Sequence, residues 1–399
     1  MPALDTENAS EVFTYSDPLS FASVPPNCME EFNGGRGVFV LPPGASRSYV
    51  RAAPEFVDDP DGGGLFAHLR AATYRSPPVF VTAVSDARII GYRTIIQNGQ
   101  FFDDSTRTDE QTSKYLDAIA SENAFLNEDT GLKRVGNGTG FSFSAGKEFK
   151  IEGTVLCLCS HEPSNYGSFI FRVLPKLAVA RDLGLLHLPV LVYDGGASFR
   201  SLLSLCGVPP ERIIRHAPHR TTRVERMICP SLRNPHAFLD PESRAFLGEI
   251  RDKVAPQGGE GRKIYISRLG HSRRGRSTRM MLNEEQLIAA LANSGFEIIE
   301  PECLSSEQQI EVFASAGFIV GASGSALFNV PFCHPGTKLI DIESEPHWIY
   351  AHTGLFASCG LRYGIFEGRT DPEDPRPAHK RWTVNVEALM DRIATFLKA

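Results

Sequence analysis

The stretch Phe318-Ile319-Val320-Gly321-Ala322-Ser323-Gly324-Ser325-Ala326-Leu327-Phe328-Asn329 predicts a buried strand, then a turn of small residues, then the start of a helix. Its first three residues are all apolar, as in a parallel strand that is covered on both faces. Glycine lets a ligand approach the backbone closely, and a helix N-terminus offers unpaired N–H groups to an anion. The stretch is therefore either a phosphate-binding turn or an ordinary tight turn of an α/β sheet.

Strand and helix patterns alternate on both sides of this turn. The predicted strands are 155–158, 189–193, 212–214, 227–229, 263–267, 296–299 and 338–342, and the predicted helices are 169–183, 199–206, 241–254, 283–294 and 305–315. Such alternation is typical of parallel sheets covered by helices, which bind ligands at the carboxyl ends of their strands. We therefore predict an α/β protein with two Rossmann-like domains that face a cleft.

The same patterns divide the chain into four parts. We predict an irregular, β-rich N-terminal extension at 1–78, a first Rossmann-like domain at 79–239, a second at 240–381 and a C-terminal helical segment at 382–399. Short strands near 79–97 precede Asn98-Gly99, a dipeptide typical of a two-residue hairpin turn. In the last segment, Val386, Leu389, Ile393 and Phe396 share one helical face.

Composition restricts the class of protein. The chain has 399 residues and a net charge of −6, so no global positive field favours nucleic acid. No apolar run reaches the roughly 20 residues that a membrane helix needs. The first twenty residues are polar and acidic, unlike a secretory signal. We therefore expect a cytoplasmic protein that does not bind nucleic acid.

An ordered series of short motifs runs through the second half of the chain. It comprises Tyr265-Ile266-Ser267-Arg268, arginines at 273, 274 and 276, Asn283-Glu284-Glu285, Gly295-Phe296, Pro301-Glu302, Gln308-Gln309-Ile310, the turn 321–329, Pro335-Gly336-Thr337 and Asp341-Ile342. Upstream, Asn165-Tyr166-Gly167-Ser168-Phe169 is followed by Val173-Leu174-Pro175-Lys176-Leu177. The series resembles glycosyltransferase family 61, in which the two upstream motifs read Asn-aromatic-x-His-aromatic and Leu-Pro-Arg-Leu.

The resemblance implies a GT-B fold that binds the acceptor mainly on the first domain and the nucleotide-sugar donor mainly on the second. It also implies that the last helix packs back on the first domain. The implied reaction is inverting, metal-independent transfer of a hexosyl or pentosyl group, without a cofactor, from a UDP-sugar. The chain looks most like the bacterial branch, which builds surface polysaccharide or lipopolysaccharide. We therefore expect a glycan or glycolipid acceptor and peripheral contact with the inner membrane face.

Two departures from the family keep a second interpretation open. Where the family often has a histidine in its first upstream motif, this chain has Ser168, and where an acid often follows four residues later, it has Arg172. The alternative is therefore a non-catalytic member of the same fold that binds nucleotide or glycan. A sugar-nucleotide epimerase of similar fold is disfavoured, because the resemblance covers both halves of the chain.

The donor diphosphate is expected to bind to arginine side chains and to the glycine turn. The predicted contacts are Arg268, Arg273, Arg274, Ser323, Gly324 and Ser325. A planar guanidinium suits a diphosphate, although a surface ion pair is the alternative for Arg268. In the turn, the usual His-Gly-Ala-Gly of the family is replaced by Ser323-Gly324-Ser325-Ala326. Backbone N–H groups and a hydroxyl can still hold a phosphate there.

Other donor contacts are predicted around the ends of neighbouring strands. Asn329 is expected either to cap backbone within the turn or to touch the ligand. Glu343 is predicted to accept hydrogen bonds from ribose hydroxyls, with Asp341 and Glu345 as competitors and a solvated loop acid as the alternative. Glu302 is expected to lie beside the nucleobase.

The general base is sought upstream of Asn165. His161 and Glu162 follow a predicted strand, and either side chain could take a proton from an acceptor hydroxyl near neutral pH. Asn165 and Tyr166 are candidate acceptor contacts, although Asn165 is equally suited to cap the following helix. Arg172 is expected to bind an anionic acceptor group or to pair with a neighbouring acid.

No metal is predicted. No Asp-x-Asp pattern ends a clear strand, and the acidic runs at 58–61 and 103–104 are interpreted as solvated turns. Histidines 334, 347 and 352 are interpreted as packing or solvent-facing residues. Without a metal, cations and helix N–H groups must stabilise the leaving diphosphate.

Overall fold

A computed structural model describes residues 11–42, 44, 46–58, 69, 72–121, 128–136, 139–144, 147–234, 237–256, 261–273, 279–344, 349–377 and 379–399. The protein is mixed α/β, as predicted. Its chain forms two compact units: unit 1 comprises Met1–Ser46, Pro77–Ser164 and Arg172–Arg233, and unit 2 comprises Arg47–Ser76, Asn165–Phe171 and Asn234–Ala399. Among the described residues, no helix combines the length and the apolar character needed to cross a membrane.

Unit 1 is built on one mixed sheet. Across the sheet, the strands are Thr14–Tyr15, Gln100–Phe102, Thr94–Gln97, Phe80–Ile90, Thr221–Pro230, Glu148–Cys157, Val190–Tyr193 and Ile213–His216. Arg36–Val40 also pairs with Phe80–Ile90, and Ala22–Ser23 pairs with Arg36–Val40. The last four strands across the sheet are parallel, as the alternating pattern predicted. Short turns join Phe80–Ile90, Thr94–Gln97 and Gln100–Phe102 into antiparallel pairs, and Phe80–Ile90 is also antiparallel to Thr221–Pro230.

Unit 1 also contains helices, a hairpin and the small antiparallel pair of Lys133–Arg134 with Phe141–Ser142. The helices are Asp109–Ala120, Leu174–Asp182 and Ala197–Leu205, with short 3₁₀ turns at Pro18–Ser20, Pro26–Cys28, Leu185–His187 and Pro210–Arg212. The predicted hairpin is confirmed: Asn98 and Gly99 both have positive φ and join two antiparallel strands. The predicted helix 169–183 is instead three consecutive pieces, Tyr166–Ser168, the π-helical Phe169–Val173 and Leu174–Asp182. Pro175 lacks the N–H that would continue a regular helix through this point.

Unit 2 contains a wholly parallel sheet. Across the sheet, its strands are Glu297–Ile299, Arg262–Ile266, Ala316–Ala322, Lys338–Glu343, Arg362–Glu367 and Phe56–Asp58. The small pairs Ser48–Arg51 with Ala72–Arg75 and Arg369–Thr370 with Trp382–Thr383 are antiparallel. The helices are Pro241–Val254, Leu269–Arg273, Glu284–Asn293, Ser306–Ser315, Ile349–Ser358 and Val386–Lys398, with 3₁₀ turns at Pro301–Cys303 and Ser325–Phe332.

Two predicted helix starts in unit 2 are confirmed by their caps. The Asp240 carboxylate accepts a hydrogen bond from the Ser243 N–H, and Pro241 follows it at the first helical position. Ser305 and Gln308 exchange the reciprocal bonds of a capping box. These caps depend on residues only three positions apart, so a sequence pattern can specify them.

The strand order of unit 2 contains a point at which the chain reverses direction across the sheet. After Arg262–Ile266 the chain moves outward to Glu297–Ile299, and then returns to place Ala316–Ala322 on the other side of Arg262–Ile266. Helices therefore lead away from these two strands in opposite directions, which leaves a crevice at their carboxyl ends. In open α/β sheets, this crevice is the usual ligand position.

The N-terminal residues do not form a separate extension, contrary to the prediction for 1–78. Arg36–Val40 adds a strand to the sheet of unit 1, and Phe56–Asp58 adds the edge strand of the unit 2 sheet beside Arg362–Glu367. Edge strands have unpaired backbone groups, and such short segments can satisfy them with little apolar patterning of their own.

The C-terminal helix also differs from the prediction. Val386–Lys398 buries Leu389, Ile393 and Phe396 in the same core cluster as Phe318 and Ile340 of the unit 2 sheet. The predicted apolar face is correct, and the helix packs on the sheet of the second unit, to which it belongs. An amphipathic pattern specifies which face is buried, without specifying which sheet receives it.

Candidate functional site

Arg268 follows the strand Arg262–Ile266 and lies at the crevice of unit 2. Its N–H donates to the buried Glu284 carboxylate at 2.7 Å, and its Nη1 donates to the Ser323 carbonyl at 2.8 Å. Glu284 also accepts from the hydroxyls of Tyr265 and Ser267. These contacts join the ends of the neighbouring strands Arg262–Ile266 and Ala316–Ala322, so Arg268 is held beside the glycine turn. The alternative, a surface ion pair, does not describe it.

A second guanidinium, which the sequence analysis did not single out, approaches the same turn. A Cβ atom added at Gly324 would lie 2.9 Å from Arg268 Nη1 and 3.7 Å from Arg279 Nη2. Burial, followed by the charge of Arg279, lowers the pKa of Arg268 to about 10. Two cations placed this close repel each other, and an anion between them would relieve that repulsion. Arg279 lies outside any strand or helix, so periodicity gave no signal for it.

The turn itself is held by a buried network. The Ser323 hydroxyl lies 2.9 Å from His352 Nδ1, and the same nitrogen lies 3.0 Å from the Asp341 carboxylate. His352 is a buried residue, which agrees with a packing role, but it also orients Ser323. Glu343 is buried too, and accepts from the Ser344 N–H. A ribose contact by Glu343 therefore stays a prediction.

The same residues include the metal-ligand types. Ligand atoms of Asp341, Glu343 and His352 lie within 4.8 Å of one another, and all three residues are buried. Two carboxylates and an imidazole could hold a divalent cation. The prediction of metal-independent transfer must therefore be tested against this cluster.

Asn329, Tyr166 and Asn165 serve the fold of unit 2. Asn329 is fully buried: its amide donates to Gln309 and to the Ala326 carbonyl, and its oxygen accepts from the Tyr166 hydroxyl. Asn165 caps the turn that follows it by accepting from two backbone N–H groups, and it also accepts from Ser325. Asn165 and Asn329 therefore both bond to backbone, as one of the two alternatives for each predicted, and ligand contacts by Asn165, Asn329 and Tyr166 stay predictions.

The remaining donor candidates are dispersed. Arg273 makes an exposed ion pair with Glu285. Glu302 lies near His271, at 3.9 Å, in the turn Pro301–Cys303. Arg274 lies outside the described residues. The segment after the turn is the 3₁₀ helix Ser325–Phe332 and not an α-helix, because Pro331 cannot donate to the preceding turn.

In unit 1, His161 lies just beyond the strand Glu148–Cys157 and pairs with a carboxylate that the sequence analysis did not single out. His161 Nδ1 lies 3.0 Å from Asp129 Oδ2, and the His161 side chain is 23% exposed. Asp129 is almost completely buried and also forms an ion pair with Arg93 at 2.9 Å. No motif surrounds Asp129 in the sequence, so only the fold could associate it with His161.

Glu162 and Arg172 pair with each other, at 2.8 Å. This confirms the second alternative for Arg172, since its charge is used by a neighbouring acid. Because Arg172 already occupies one oxygen of the Glu162 carboxylate, His161 is the stronger candidate for the base. Glu162 has a positive φ of 48°, a backbone conformation that residues other than glycine seldom adopt.

The acidic pair at 103–104 is buried, contrary to the prediction of a solvated turn. Asp103 forms a bidentate pair with Arg107 at 2.9 and 2.7 Å. Asp104 accepts from Lys176 at 3.0 Å and from Ser160 at 2.6 Å. Asp58 pairs with Arg392 and is likewise not a solvated turn residue. Sequence cannot distinguish these cases, because the cations lie 4 to 334 positions away.

A cavity of about 710 Å³ in unit 2 lies beside the C-terminal helix, lined by residues that include Phe366, Thr383 and Arg392. Neither Arg268 nor Ser323 lines it. We do not assign the donor to this cavity, because Asp58 already neutralises its Arg392.

Comparison with known proteins decides the family. Residues 166–340 match the model of the glycosyltransferase 61 family. These residues belong to glycosyltransferase family 61. The match includes Arg268, Arg279 and the glycine turn, so the predicted family is confirmed and the protein is a glycosyltransferase. As such it would bind a sugar donor and an acceptor. A search of curated proteins gave no significant match.

Proposed function

We propose that this glycosyltransferase transfers a hexosyl or pentosyl group from a UDP-sugar to a glycan or glycolipid acceptor, with inversion and without a metal. The proposed setting is surface polysaccharide or lipopolysaccharide synthesis in the bacterial cytoplasm, with peripheral contact with the inner membrane face. The GT-B arrangement is part of this proposal. The family resemblance supports each of these finer points.

One observation carries the donor assignment. Arg268 and Arg279 converge on Gly324 at the crevice of the unit 2 sheet, within the family-matched residues. A nucleoside diphosphate would place its negative charge between two guanidiniums, where Gly324 has no side chain to obstruct it. Charge-assisted hydrogen bonds of this kind are among the strongest in proteins.

The chemistry requires a base for the acceptor and a stabilised leaving group. In the proposed step, the acceptor hydroxyl gives its proton to His161, its oxygen bonds to the anomeric carbon, and the anomeric carbon–phosphate oxygen bond breaks. The electron pair leaves with the nucleoside diphosphate, whose added charge the two arginines would stabilise. That His161 faces the phosphate turn across a cleft remains a prediction.

We expect UDP and its sugar conjugates to bind whether or not a chelator is present. The physical reason is that the two arginines supply the positive charge that a metal would otherwise provide. Titration calorimetry in buffer with EDTA, and in buffer with added Mn²⁺, measures both affinities. Binding that disappears in EDTA would contradict metal independence. Loss of Mn²⁺-dependent binding in Asp341→Asn would then assign the metal to Asp341, Glu343 and His352.

Replacing Arg268 by alanine should weaken UDP binding by about 1.5–3 kcal/mol, the usual value for a hydrogen bond to a charged group. Affinity for uridine should barely change, because uridine has no phosphate. Calorimetry with both ligands measures the difference. Arg362→Ala is the matched control, since that arginine of unit 2 pairs with Glu55 at 2.7 Å and should retain wild-type affinity. Equal losses for UDP and uridine would mean that Arg268 supports the fold and not the phosphates.

A non-catalytic binder is the second candidate, favoured by Ser168 and Arg172 at the positions where the family often has a histidine and an acid. Ser168 is buried, and Arg172 is paired with Glu162, so neither offers a base. Slow hydrolysis of the donor in the absence of acceptor separates the two candidates. An enzyme should release free sugar and UDP over hours, whereas a binder should leave the donor intact.

A further inference from the structure

Three groups surround the carboxylate of Asp129. Its Oδ2 lies 3.0 Å from His161 Nδ1 and 2.9 Å from Arg93 Nε, and its Oδ1 accepts from the Glu162 N–H at 3.2 Å. The Asp129 and Arg93 side chains are only 1% and 6% exposed. One carboxylate therefore contacts the imidazole of His161 and the backbone of the next residue, Glu162.

The backbone around Asp129 is placed by two glycines in close contact. A Cβ added at Gly91 would lie 2.4 Å from the Thr130 carbonyl carbon, and one added at Gly131 would lie 2.7 Å from the Gly91 nitrogen. Both glycines have positive φ. No other residue type fits this approach, which holds the Asp129 segment against the end of the Phe80–Ile90 strand.

The ionisation state of Asp129 decides the direction of the hydrogen bond. Burial disfavours its charged form, but the charge of Arg93 and the hydrogen bond from His161 outweigh burial and lower the pKa of the carboxyl group. An ionised carboxylate can only accept hydrogen bonds. His161 Nδ1 must therefore carry the hydrogen, and in a neutral imidazole Nε2 is then the basic nitrogen.

We propose that Asp129 is a positioning residue that fixes the orientation and the Nδ1–H tautomer of His161, so that Nε2 receives the acceptor proton. The inference rests on the proposed transferase function for its catalytic consequence. The position of the hydrogen on the His161 ring does not depend on that function. Asp129 also holds Glu162 in its unusual backbone conformation, which keeps the Glu162–Arg172 pair in place beside the imidazole.

The tautomer can be measured directly in the full-length protein. Histidine labelled with ¹⁵N reports the protonated nitrogen of each imidazole by NMR, and the signals that disappear in His161→Gln identify His161. We expect a protonated Nδ1 and an unprotonated Nε2 in the neutral imidazole of His161. A wild-type His161 with the hydrogen on Nε2 would overturn the inference without any need for a variant of Asp129.

Asp129→Asn removes the negative charge but keeps the side-chain shape. We expect the Nε2–H form of His161 to become substantially populated, and kcat for sugar transfer to fall by about 10²- to 10⁴-fold with an unchanged KM for the donor. Asp103→Asn is the matched control: Asp103 is equally buried and also pairs with Arg93, at 3.4 Å, and its main partner is Arg107, at 2.7 Å. This variant should lower the free energy of unfolding while leaving the His161 tautomer as in the wild type.

Three results separate the inference from the proposed function. An unchanged tautomer in Asp129→Asn, or a change of the same size in Asp103→Asn, refutes positioning by Asp129. If Asp129→Asn shows the expected change of tautomer but transfers sugar as fast as the wild type, the tautomer of His161 does not matter for catalysis. The expected tautomers in a wild-type protein that turns over no nucleotide sugar refute the transferase mechanism but leave the positioning of His161 by Asp129 established.

Discussion

Replacing His161 by alanine is expected to lower the turnover of sugar transfer by about 10²- to 10⁴-fold, the usual cost of losing a general base. Donor affinity should remain nearly unchanged, because the predicted donor contacts lie in unit 2 and His161 lies in unit 1. His161 is the stronger candidate of the two predicted bases, because Asp129 orients its ring while Arg172 neutralises Glu162. Steady-state kinetics with UDP calorimetry measures both quantities.

Two variants make this result specific. His187→Ala changes an exposed histidine of the same unit that contacts Gly184 and Glu30, and it should keep wild-type turnover. Glu162→Ala should reduce turnover less than His161→Ala does, since it removes only a neighbour of the imidazole. If both His161→Ala and Glu162→Ala retain full transfer activity, the assignment of the base is wrong.

Replacing Lys176 by methionine is expected to lower the free energy of unfolding by about 3–5 kcal/mol, the range for breaking a buried ion pair by removal of one partner. The Lys176 ammonium is completely buried and donates to Asp104 at 3.0 Å and to the Cys159 carbonyl at 2.9 Å. Burial disfavours the charged ammonium, but the Asp104 carboxylate outweighs burial and raises the pKa of Lys176. Methionine fills a similar volume, so the predicted loss comes from the uncompensated Asp104 charge. Urea denaturation of the intact protein measures it.

An exposed pair and a double variant test this explanation. Lys114 pairs with Glu110 on a helix surface where both side chains are at least 75% exposed, so Lys114→Met should change stability by less than about 0.5 kcal/mol. Adding Asp104→Leu to Lys176→Met should recover much of the loss, because neither charge of this pair then remains. A double variant less stable than Lys176→Met alone would argue against the charge explanation.

Local patterns in the sequence were sufficient for much of unit 2. The parallel strands, the caps at Asp240 and Ser305, and the approach of Arg268 to the glycine turn all follow from residues close together in the chain. The family was recognisable for the same reason, since its motifs are short and occur in a fixed order. The carboxyl ends of parallel strands meet at one edge, which turns a linear pattern into a predicted site.

The base site was predicted only in part. His161 and Glu162 were identifiable because they follow a strand, but the choice between them required their partners. Asp129 and Arg172 lie 32 and 10 positions from the residues that they contact, and no spacing rule connects such pairs. The same limit explains why the acids at 103–104 were predicted to be solvated. Their burial depends on the ion pairs of Asp103 with Arg107 and of Asp104 with Lys176, which the sequence pattern does not reveal.

By itself, the sequence determined the α/β class, the family, the face of each amphipathic helix and the residue types able to carry charge and protons. Tertiary structure alone decided that the C-terminal helix covers the unit 2 sheet, that Asn329 is a buried cap, that Arg279 joins Arg268, and that Asp129 holds His161. The physical reason is the distance along the chain over which each interaction acts. Periodicity and capping act over a few residues, whereas burial and ion pairing depend on which distant segments the fold brings into contact.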